Sequence, residues 1–258
     1  NELVELAGHT KRIDALAWSP DGRLLASGAV DQLINIYDAT DGRLLRTLHG
    51  HTGGINSVAF SPDSRLLASG SSDGTIRIWN ASTGRQESIL EQQSHKMLWA
   101  SFSPDGDRIV TAGEDGIATI WDGQNRKALA TLEGHTDWIR SAFFSPDGTR
   151  VVTASDDGAA RIWDAATGEQ LQELSGHSGY VKSAAYSPDG STIVFSSDRD
   201  DPTNAQLYLM DADGGNQRPL MPFTPADYLG ARWSPDGEWI LFHSNLEVDG
   251  VPWFNVYK

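Results

Sequence analysis

The chain has no cysteine among its 258 residues, which excludes disulfides and thiolate sites for metals or redox chemistry. It also has no long hydrophobic run. No stretch approaches the roughly 18 apolar residues of a transmembrane helix, so the sequence predicts no membrane insertion. Its first residues show no basic segment followed by an apolar core, so no signal peptide is visible. We expect a cytoplasmic location and leave a periplasmic one open.

Positive charge is scarce, with 20 Lys and Arg against 35 Asp and Glu and a net charge of −15. An acidic surface repels phosphate backbones, so the sequence predicts no nucleic-acid partner. Fifteen of the acids, however, occupy recurring turn positions of the repeat described next, and the other 20 equal the basic residues in number. The excess charge is therefore a property of the repeat and does not identify a partner.

A Ser-Pro-Asp-Gly tetrapeptide, or a close variant of it, recurs six times along the chain. Its copies begin at Ser19, Ser61, Ser103, Ser145, Ser187 and Ser234, at four intervals of 42 residues and a last one of 47. Around each copy, four short runs of β-branched and aromatic residues alternate with Asp, Gly and Pro, a pattern typical of antiparallel hairpins. Units of four strands bury both faces only when they stack radially. The sequence therefore predicts an all-β, six-bladed β-propeller.

Two dipeptides carry a resemblance to a known family. A Gly-His pair precedes four repeats and a Trp-Asp pair ends the third strand of two, at Gly8-His9, Gly50-His51, Gly134-His135, Gly176-His177, Trp121-Asp122 and Trp163-Asp164. These residues resemble the WD-repeat family, most clearly over residues 1–180. The last two repeats, with segments 196–200 and 207–216, are similar instead to repeats of TolB-type propellers. That second resemblance favours a bacterial source.

The blade boundaries follow from the repeat. We predict one domain over residues 1–258, with blades at roughly 11–48, 53–90, 95–132, 137–174, 179–220 and 227–258. The last repeat is one strand short, and residues 2–6 form an extra strand before the first Gly-His pair. We expect strand 2–6 to complete the sixth blade, because the alternative leaves exposed strand edges that aggregate readily.

The WD-repeat resemblance implies a buried hydrogen-bonded chain of His, Ser or Thr, Asp and Trp within a blade. Complete tetrads occur in the second and fourth blades, as His51, Ser69, Asp73 and Trp79, and as His135, Thr153, Asp157 and Trp163. A Ser-His-Asp set can also indicate a hydrolase. Two copies at identical offsets favour a structural role, so we predict no catalytic residues and no cofactor.

The other blades depart from the tetrad. Tyr37 replaces Trp in the first blade, and Gln93 stands in the third where His is expected. In the fifth, Phe195 and Met210 replace two partners of His177, so we interpret His177 as a partly exposed remnant. Two acidic segments, 198–204 and 211–216, contain oxygen ligands of the kind calcium prefers. We predict no metal site and leave calcium binding by segment 198–204 open.

In the WD-repeat family, the loops between the second and third strands and those between blades lie on one face, which partners commonly use. Two positions vary strongly between these otherwise uniform repeats: the third residue after the Gly-His position, and the residue two positions beyond it. Large aromatic residues often anchor interfaces. We therefore predict a partner-binding face that includes Arg12, Lys96, Trp138, Arg140, Tyr180 and Lys182. Alternatively, Trp138 and Tyr180 only cover the rim between blades. Loops 198–205 and 244–252 are expected to be enlarged on the same face.

These observations predict a non-catalytic scaffold for protein or peptide partners, monomeric, within a larger bacterial signalling or scaffolding protein. Two alternatives remain open. One is a propeller that accompanies a hydrolase or peptidase domain. The other is a binder of small ligands or glycans at the mouth of the channel.

Overall fold

Short antiparallel strands account for all the regular structure that is described. The computed structural model describes residues 6–92, 95–174, 177, 179–199, 204–222, 227–234, 236–248 and 251–257. These residues form 23 strands. No helix of the length and apolar content needed to cross a membrane occurs in this part of the chain. The predicted all-β class is confirmed.

In the described residues the strands form six sheets, five with four strands and one with three, and consecutive strands are hydrogen-bonded neighbours. The first three sheets contain β1 (Ile13–Trp18), β2 (Leu24–Ala29), β3 (Ile34–Asp38), β4 (Leu44–Leu48), β5 (Ile55–Phe60), β6 (Leu66–Ser71), β7 (Thr75–Asn80), β8 (Gln86–Gln92), β9 (Met97–Phe102), β10 (Arg108–Gly113), β11 (Ala118–Asp122) and β12 (Ala128–Leu132).

The fourth, fifth and sixth sheets continue the same order. They contain β13 (Ile139–Phe144), β14 (Arg150–Ser155), β15 (Ala160–Asp164), β16 (Gln170–Leu174), β17 (Val181–Tyr186), β18 (Thr192–Ser197), β19 (Gln206–Asp211), β20 (Arg218–Pro219), β21 (Tyr228–Trp233), β22 (Ile240–Val248) and β23 (Val251–Tyr257). Antiparallel four-stranded sheets in sequential order are the architecture expected of propeller blades.

The Ser-Pro-Asp-Gly element forms the turn between the first and second strands of each sheet. In the first sheet, the Ser19 hydroxyl donates to Asp21 Oδ1 at 2.6 Å and accepts the backbone N–H of Leu24 at 2.9 Å. Gly22 adopts φ +72°, where an L side chain would be strained. The same Ser-to-Asp bond recurs in the other five sheets. Because these bonds are local, the turn is specified by the tetrapeptide itself.

Gln32 has a positive φ at a turn position where the next repeat has glycine, as do Ser64 and Arg126 at other turn positions. Gln32 has φ +75°, and the equivalent Gly74 has φ +81°. A left-handed conformation costs a non-glycine residue about 1 kcal/mol, and a glycine there avoids this cost. Glycine also has a larger conformational entropy in the unfolded chain, which offsets part of the stabilisation. Gln32→Gly should raise the free energy of unfolding by about 0.5 kcal/mol, measured by urea denaturation. Gly74→Ala is the reverse control and should lower it, and a Gln32→Gly protein less stable than wild type would contradict the argument.

The hydrophobic core lies between neighbouring sheets. Ile34 and Ile36 of β3 belong to the same buried cluster as Ile55 and Leu67 of the second sheet. Equivalent clusters join the second sheet to the third, the fourth to the fifth, and the fifth to the sixth. Full burial of such a side chain contributes roughly 1.5–3 kcal/mol. Each sheet is therefore stabilised mainly by the sheet beside it, as expected for stacked repeats.

The chain divides into two units. One comprises Asn1–Glu114 with Ala118–Leu129, and the other comprises Asp115–Ile117 with Ala130–Lys258. Within the first unit β1 packs against β5 and β5 against β9, and within the second β13 packs against β17 and β17 against β21. The single domain and its blade boundaries stay predictions.

The sixth sheet corrects one expectation. Residues 244–252 were expected to form an enlarged loop, but β22 continues to Val248 and β23 begins at Val251, with Val248 paired to Val251. The Asp249-Gly250 pair in the sequence is a strong hairpin signal that explains the extended strands. In the fifth sheet, residues 198–205 do separate β18 from β19. The proposed ring-closing strand 2–6 falls almost wholly outside the described residues.

Candidate functional site

Four side chains of the second sheet form one buried hydrogen-bonded chain. Trp79 Nε1–H donates to Ser69 Oγ at 2.8 Å, Ser69 Oγ lies 2.7 Å from His51 Nε2, and His51 Nδ1 lies 2.8 Å from Asp73 Oδ2. An ionised Asp73 carboxylate can only accept, so His51 Nδ1 carries the proton and donates to it. In the neutral imidazole Nε2 is then an acceptor, and the Ser69 hydroxyl donates to it while accepting the indole N–H of Trp79.

The fourth sheet repeats this geometry. The Trp163–Thr153, Thr153–His135 and His135–Asp157 distances are 2.8, 2.7 and 2.8 Å. Arg161, which the sequence analysis missed, also donates to Asp157 Oδ2 at 2.6 Å and contacts His135.

The register of the outer strands explains why the equivalent arginine of the second sheet, Arg77, does not make this bond. Arg161 also donates to Glu173 Oε2 at 3.1 Å, and these two residues are cross-strand partners. The equivalent Arg77 pairs with Ile89 and donates instead to Gln86 at 2.6 Å. Glu173, the acid opposite Arg161 on the neighbouring strand, was thus the feature of the sequence that could have indicated this arginine's role.

The ionisation of both tetrads agrees with this direction of donation. Burial alone would raise the pKa of Asp73, but hydrogen bonds from Thr75, from the Thr52 backbone and from His51 lower it to about 2. Burial lowers the pKa of His135 to about 4, against the opposing pull of Asp157. Burial also lowers the pKa of His51. Ionised carboxylates and neutral imidazoles therefore coexist at neutral pH.

The hydroxyls of the two tetrads are poorly placed for nucleophilic catalysis. Ser69 and Thr153 are each 0% exposed, and each already accepts a hydrogen bond from a tryptophan. A nucleophile must reach its substrate. The arrangement satisfies buried polar groups, as a structural element does.

The first and third sheets carry partial versions. His9 Nε2 lies 2.7 Å from Ser27 Oγ, and His9 Nδ1 lies 3.1 Å from Asp31 Oδ1. Tyr37 does not complete this chain, because its hydroxyl donates to the Ala7 carbonyl at 3.3 Å. In the third sheet Trp121 Nε1–H donates to Thr111 Oγ1 at 2.9 Å. Gln93 lies outside the described residues.

The fifth sheet replaces hydrogen bonds with aromatic packing. His177 packs edge-on against Phe195 with ring centroids 5.2 Å apart, and Phe195 stacks on Tyr208 at 5.3 Å. His177 Nδ1 lies 3.0 Å from Ser197 Oγ. The histidine is half-buried and contacts groups that differ from those of the tetrads.

Four of the predicted partner-face residues come together in the second unit around Asp156. The Arg140 guanidinium carbon lies 4.7 Å from the Trp138 ring centroid, and Arg140 Nε donates to Asp156 Oδ2 at 2.9 Å. Lys182 Nζ lies 3.9 Å from the Tyr180 ring centroid and 3.7 Å from Asp156 Oδ1. We call Trp138, Arg140, Asp156, Tyr180 and Lys182 the aromatic–cation cluster.

Burial within the cluster is uneven. The Asp156 side chain is 8% exposed, whereas Arg140 and Lys182 are 33% and 30% exposed, and Tyr180 is 47% exposed. One buried carboxylate therefore holds two cations, and each cation lies over an aromatic ring. Cation–π contacts at such sites contribute roughly 0.5–1 kcal/mol.

The position of Asp156 varies between the sheets: the residues that make the same backbone hydrogen bond are Ser72 in the second sheet, Glu114 in the third and Asp198 in the fifth. The equivalent residue in the second sheet is Ser72, whose Oγ accepts a hydrogen bond from Asn56 Nδ2 at 3.1 Å. A neutral pair in that sheet corresponds to the Arg140–Asp156 ion pair here. A comparison of both positions between the repeats would have shown that the Asn56–Ser72 pair of the second sheet is replaced by Arg140 and Asp156 in the fourth.

A second carboxyl group lies beside Lys182. Burial raises the pKa of Asp198, while the charge of Lys182 opposes the shift. Its Oδ1 atom is buried and has no hydrogen-bond partner among the described residues. A Cβ atom on Gly179 would overlap this carboxyl group, so a larger residue there would displace the Asp198 side chain.

The remaining two predicted partner-face residues belong to the first unit. Arg12 Nε lies 2.6 Å from Asp14 Oδ1, with the Arg12 side chain 79% exposed. Lys96 Nζ lies 2.8 Å from Glu114 Oε1. Each of these cations therefore pairs with an acid of its own sheet, and such exposed pairs contribute little stability.

Within the described part of the chain, no three His, Asp or Glu side chains come together as a ligand set. Segment 211–216 forms a turn, in which Gly214 N–H donates to the Asp211 carbonyl at 2.8 Å and Gly215 N–H donates to Asp213 Oδ1 at 2.9 Å. Segment 198–204, for which calcium was left open, lies mostly outside the described residues.

Comparison with known families accounts for the repeat. The model of the TolB beta propeller domain matches residues 84–249, more than half of the chain. The chain belongs to the TolB β-propeller family. The model of the WD domain, G-beta repeat, matches residues 1–38 and 42–80 of this TolB-type propeller. The predicted combination of WD-type and TolB-type repeats is confirmed, and the TolB match begins earlier than the last two repeats.

Curated relatives match the propeller over about one repeat each. Protein Mut11 of Chlamydomonas reinhardtii is 48% identical over 42 residues, 16% of this chain and 11% of its own length. The WD repeat, SAM and U-box domain-containing protein 1 of Danio rerio is 46% identical over 44 residues, covering 17% and 9%. WD repeat-containing protein SL1-17 of Schistosoma mansoni is 48% identical over 40 residues, covering 16% and 13%. The chain thus spans about a tenth of the length of these relatives, two of which are named as WD-repeat proteins.

Proposed function

We propose that this TolB-type propeller is a non-catalytic module that binds a protein or peptide partner through the aromatic–cation cluster. The observation that carries the proposal is the assembly of Trp138, Arg140, Tyr180 and Lys182 around the buried Asp156. Aromatic residues and arginine dominate the energetics of interfaces. Tyr180 offers the most exposed ring of the cluster.

The cluster is ordered before any partner arrives. Asp156 holds Arg140 through a hydrogen bond and Lys182 through an ion pair, so their positions are constrained in the free protein. Binding then costs less side-chain entropy than it would with free lysine and arginine side chains. The two cations can bind acidic side chains or carbonyl groups of a partner. The Asp198 Oδ1 atom can accept a hydrogen bond from a donor of the partner.

The alternative, in which Trp138 and Tyr180 only cover the rim between blades, has less support. The second sheet has Gly54 at the position of Trp138, with no aromatic ring, and its strands β5 and β6 have the same lengths as β13 and β14. The strand geometry therefore does not require a ring at this position. A bulky aromatic that the fold does not need favours recognition.

Several finer features belong to the same proposal. The TolB-type repeats support a bacterial source and a place within a larger signalling or scaffolding protein. The acidic net charge supports a protein or peptide rather than a nucleic acid. Satisfied, inaccessible hydroxyls in both tetrads support the non-catalytic role. We also propose that the propeller is monomeric and cytoplasmic.

The test is a double substitution, Trp138→Ala with Tyr180→Ala, in affinity capture from the source cell. Loss of two anchors should reduce partner affinity by at least about tenfold, while thermal melting stays close to that of wild type. The matched control is Leu171→Ala, an exposed apolar residue in β16 of the same unit. The Leu171→Ala variant should still capture the same proteins, as identified by mass spectrometry. If Leu171→Ala lost these proteins and the double variant kept them, the binding site would lie elsewhere.

A further inference from the structure

The sixth sheet carries an arginine at a position that is small or aromatic in the other five sheets. The position lies two residues before the serine of each Ser-Pro-Asp-Gly turn, and its residues in chain order are Ala17, Ala59, Ser101, Phe143, Ala185 and Arg232. Alanine therefore suffices for the packing of three sheets. The guanidinium of Arg232 is an addition that the repeat itself does not require.

The backbone in front of Arg232 also differs from that of the other sheets. Gly230 has φ +65° and lies within the register shift between Leu229 and Arg232. The equivalent residue of β1, β5, β9, β13 and β17 has no positive φ. Irregularities of this kind change the direction of the side chains that follow them, so the sixth sheet places Arg232 with a backbone of its own.

The guanidinium of Arg232 lies over an aromatic ring in half-buried surroundings. Its central carbon is 4.1 Å from the Phe143 ring centroid, and Nη1 donates to the Ala231 carbonyl at 2.7 Å. Burial lowers the pKa of Arg232 to about 10, so the side chain stays charged at neutral pH. A charge held partly out of water attracts an anion more strongly than an exposed one does.

Arg232 borders a cleft of about 230 Å³ in the second unit, which we call the Arg232 cleft. Its apolar wall includes Phe143, Phe144, Pro146 and Pro188. Among the described residues that border the cleft, Arg232 alone carries a charge. The volume equals that of roughly eight water molecules, so a fitting occupant is short.

One cation beside an apolar wall selects a ligand with two matching parts. A guanidinium has five N–H donors in a fixed plane and can hold a carboxylate through two of them. The wall favours an apolar body, and each methylene group buried there strengthens binding roughly fourfold. A single positive charge matches the single negative charge of a carboxylate.

We propose that the Arg232 cleft binds a short apolar carboxylate, with the carboxylate on the Arg232 guanidinium and the apolar body against Phe144, Pro146 and Pro188. The carboxylate belongs to a free small molecule or to the C-terminus of a chain that ends in an apolar residue, because both present the same chemistry. The site is separate from the aromatic–cation cluster. Tyr180 and Lys182 of that cluster lie at the opposite end of β17 from the cleft.

The test uses the whole 258-residue chain and isocaproate, a branched carboxylate of matching size. An NMR titration of isotope-labelled protein at low ionic strength should shift the indole signal of Trp233, which borders the cleft and is assigned with Trp233→Phe. Acetate should bind at least about tenfold more weakly, because it lacks the apolar body. Isocaproamide should also bind at least about tenfold more weakly, because it lacks the charge.

Two substitutions separate the site from the general charge of the protein. Arg232→Ala gives the sixth sheet the residue of the first, second and fifth, so the fold should tolerate it, and isocaproate should bind at least about tenfold more weakly. Arg150→Ala removes the same charge from an exposed residue of β14 in the same unit and should bind isocaproate as wild type does. Isocaproate should raise the melting temperature of wild type and Arg150→Ala, but not that of Arg232→Ala.

A pair of peptides identifies the source of the carboxylate. Gly-Gly-Ala-Leu with a free C-terminus should bind as tightly as isocaproate if the natural ligand is a chain terminus, and its amidated form should not bind. Binding of isocaproate without binding of the free-acid peptide would support a small molecule. Equal affinity for an acid and its amide, unchanged affinity of Arg232→Ala, an equal loss in Arg150→Ala, or no binding at tens of millimolar isocaproate would each overturn the proposal.

Discussion

Replacing His135 with alanine should lower the free energy of unfolding by about 1–3 kcal/mol, because the change leaves buried polar partners without hydrogen bonds. In the fourth sheet the Thr153 hydroxyl would lose its acceptor, and Asp157 would lose one donor. Thr153→Val keeps the shape of the side chain and should cost a similar amount, since it orphans both His135 Nε2 and Trp163 Nε1. Urea denaturation of each variant measures the losses.

The two substitutions should also be non-additive. Both break the same chain, so the His135→Ala, Thr153→Val double variant should lose clearly less than the sum of the single losses. His177→Ala is the control, since this half-buried histidine has an aromatic contact and a bond to Ser197 in place of a tetrad. The free energy of unfolding should fall much less for His177→Ala than for His135→Ala. Equal decreases for the two variants would contradict the structural role of the tetrad.

Acidification from pH 6.5 to pH 4 should destabilise the protein by about 3 kcal/mol through His135 alone. Its pKa falls from 6.5 in the unfolded chain to about 4 in the folded protein. Between these values the unfolded chain binds the proton and the folded protein does not, so stability is fully present above pH 6.5 and is lost as the pH falls through the window. His51 acts in the same direction, because burial also lowers its pKa.

The variant His135→Asn lacks the titrating group and isolates this contribution. Its free energy of unfolding should be lower than that of wild type at pH 7, yet should fall less steeply between pH 6.5 and pH 4. Below pH 4 a second loss is expected in both proteins, because Asp73 and Asp157 have folded-state pKa values of about 2. Parallel pH profiles for wild type and His135→Asn would show that the imidazole is not held neutral.

The success of the motif-based predictions follows from the local character of the features they describe. Each Ser-Pro-Asp-Gly turn closes with hydrogen bonds between residues two to five positions apart. The tetrads span 22 residues from histidine to aspartate, but they stay within one sheet and recur at the same offsets. The resemblance to the WD-repeat family supplied the pattern, and the constant offsets located its members in each repeat. The extended hairpin of β22 and β23 was missed, although Asp249-Gly250 signalled it.

The features that were missed depend on which side chains face each other. Arg161 reaches Glu173 because the register of β15 and β16 sets them opposite each other. Asp156 meets Lys182 only because β17 packs against the fourth sheet. Sequence separation does not predict either ion pair. Acids outnumber bases in this chain, so each base has several acids at similar separations.

The amino-acid sequence by itself determined the repeat, the strand class and the turns, since each depends on local backbone preference, and its resemblance to WD repeats indicated the members of the tetrads. The tertiary structure decided which polar groups are satisfied. The meeting of two cations on Asp156 arises where neighbouring sheets pack together. Hydrogen bonding and desolvation depend on distances of a few ångströms between sheets, and no periodicity in a single chain encodes those distances.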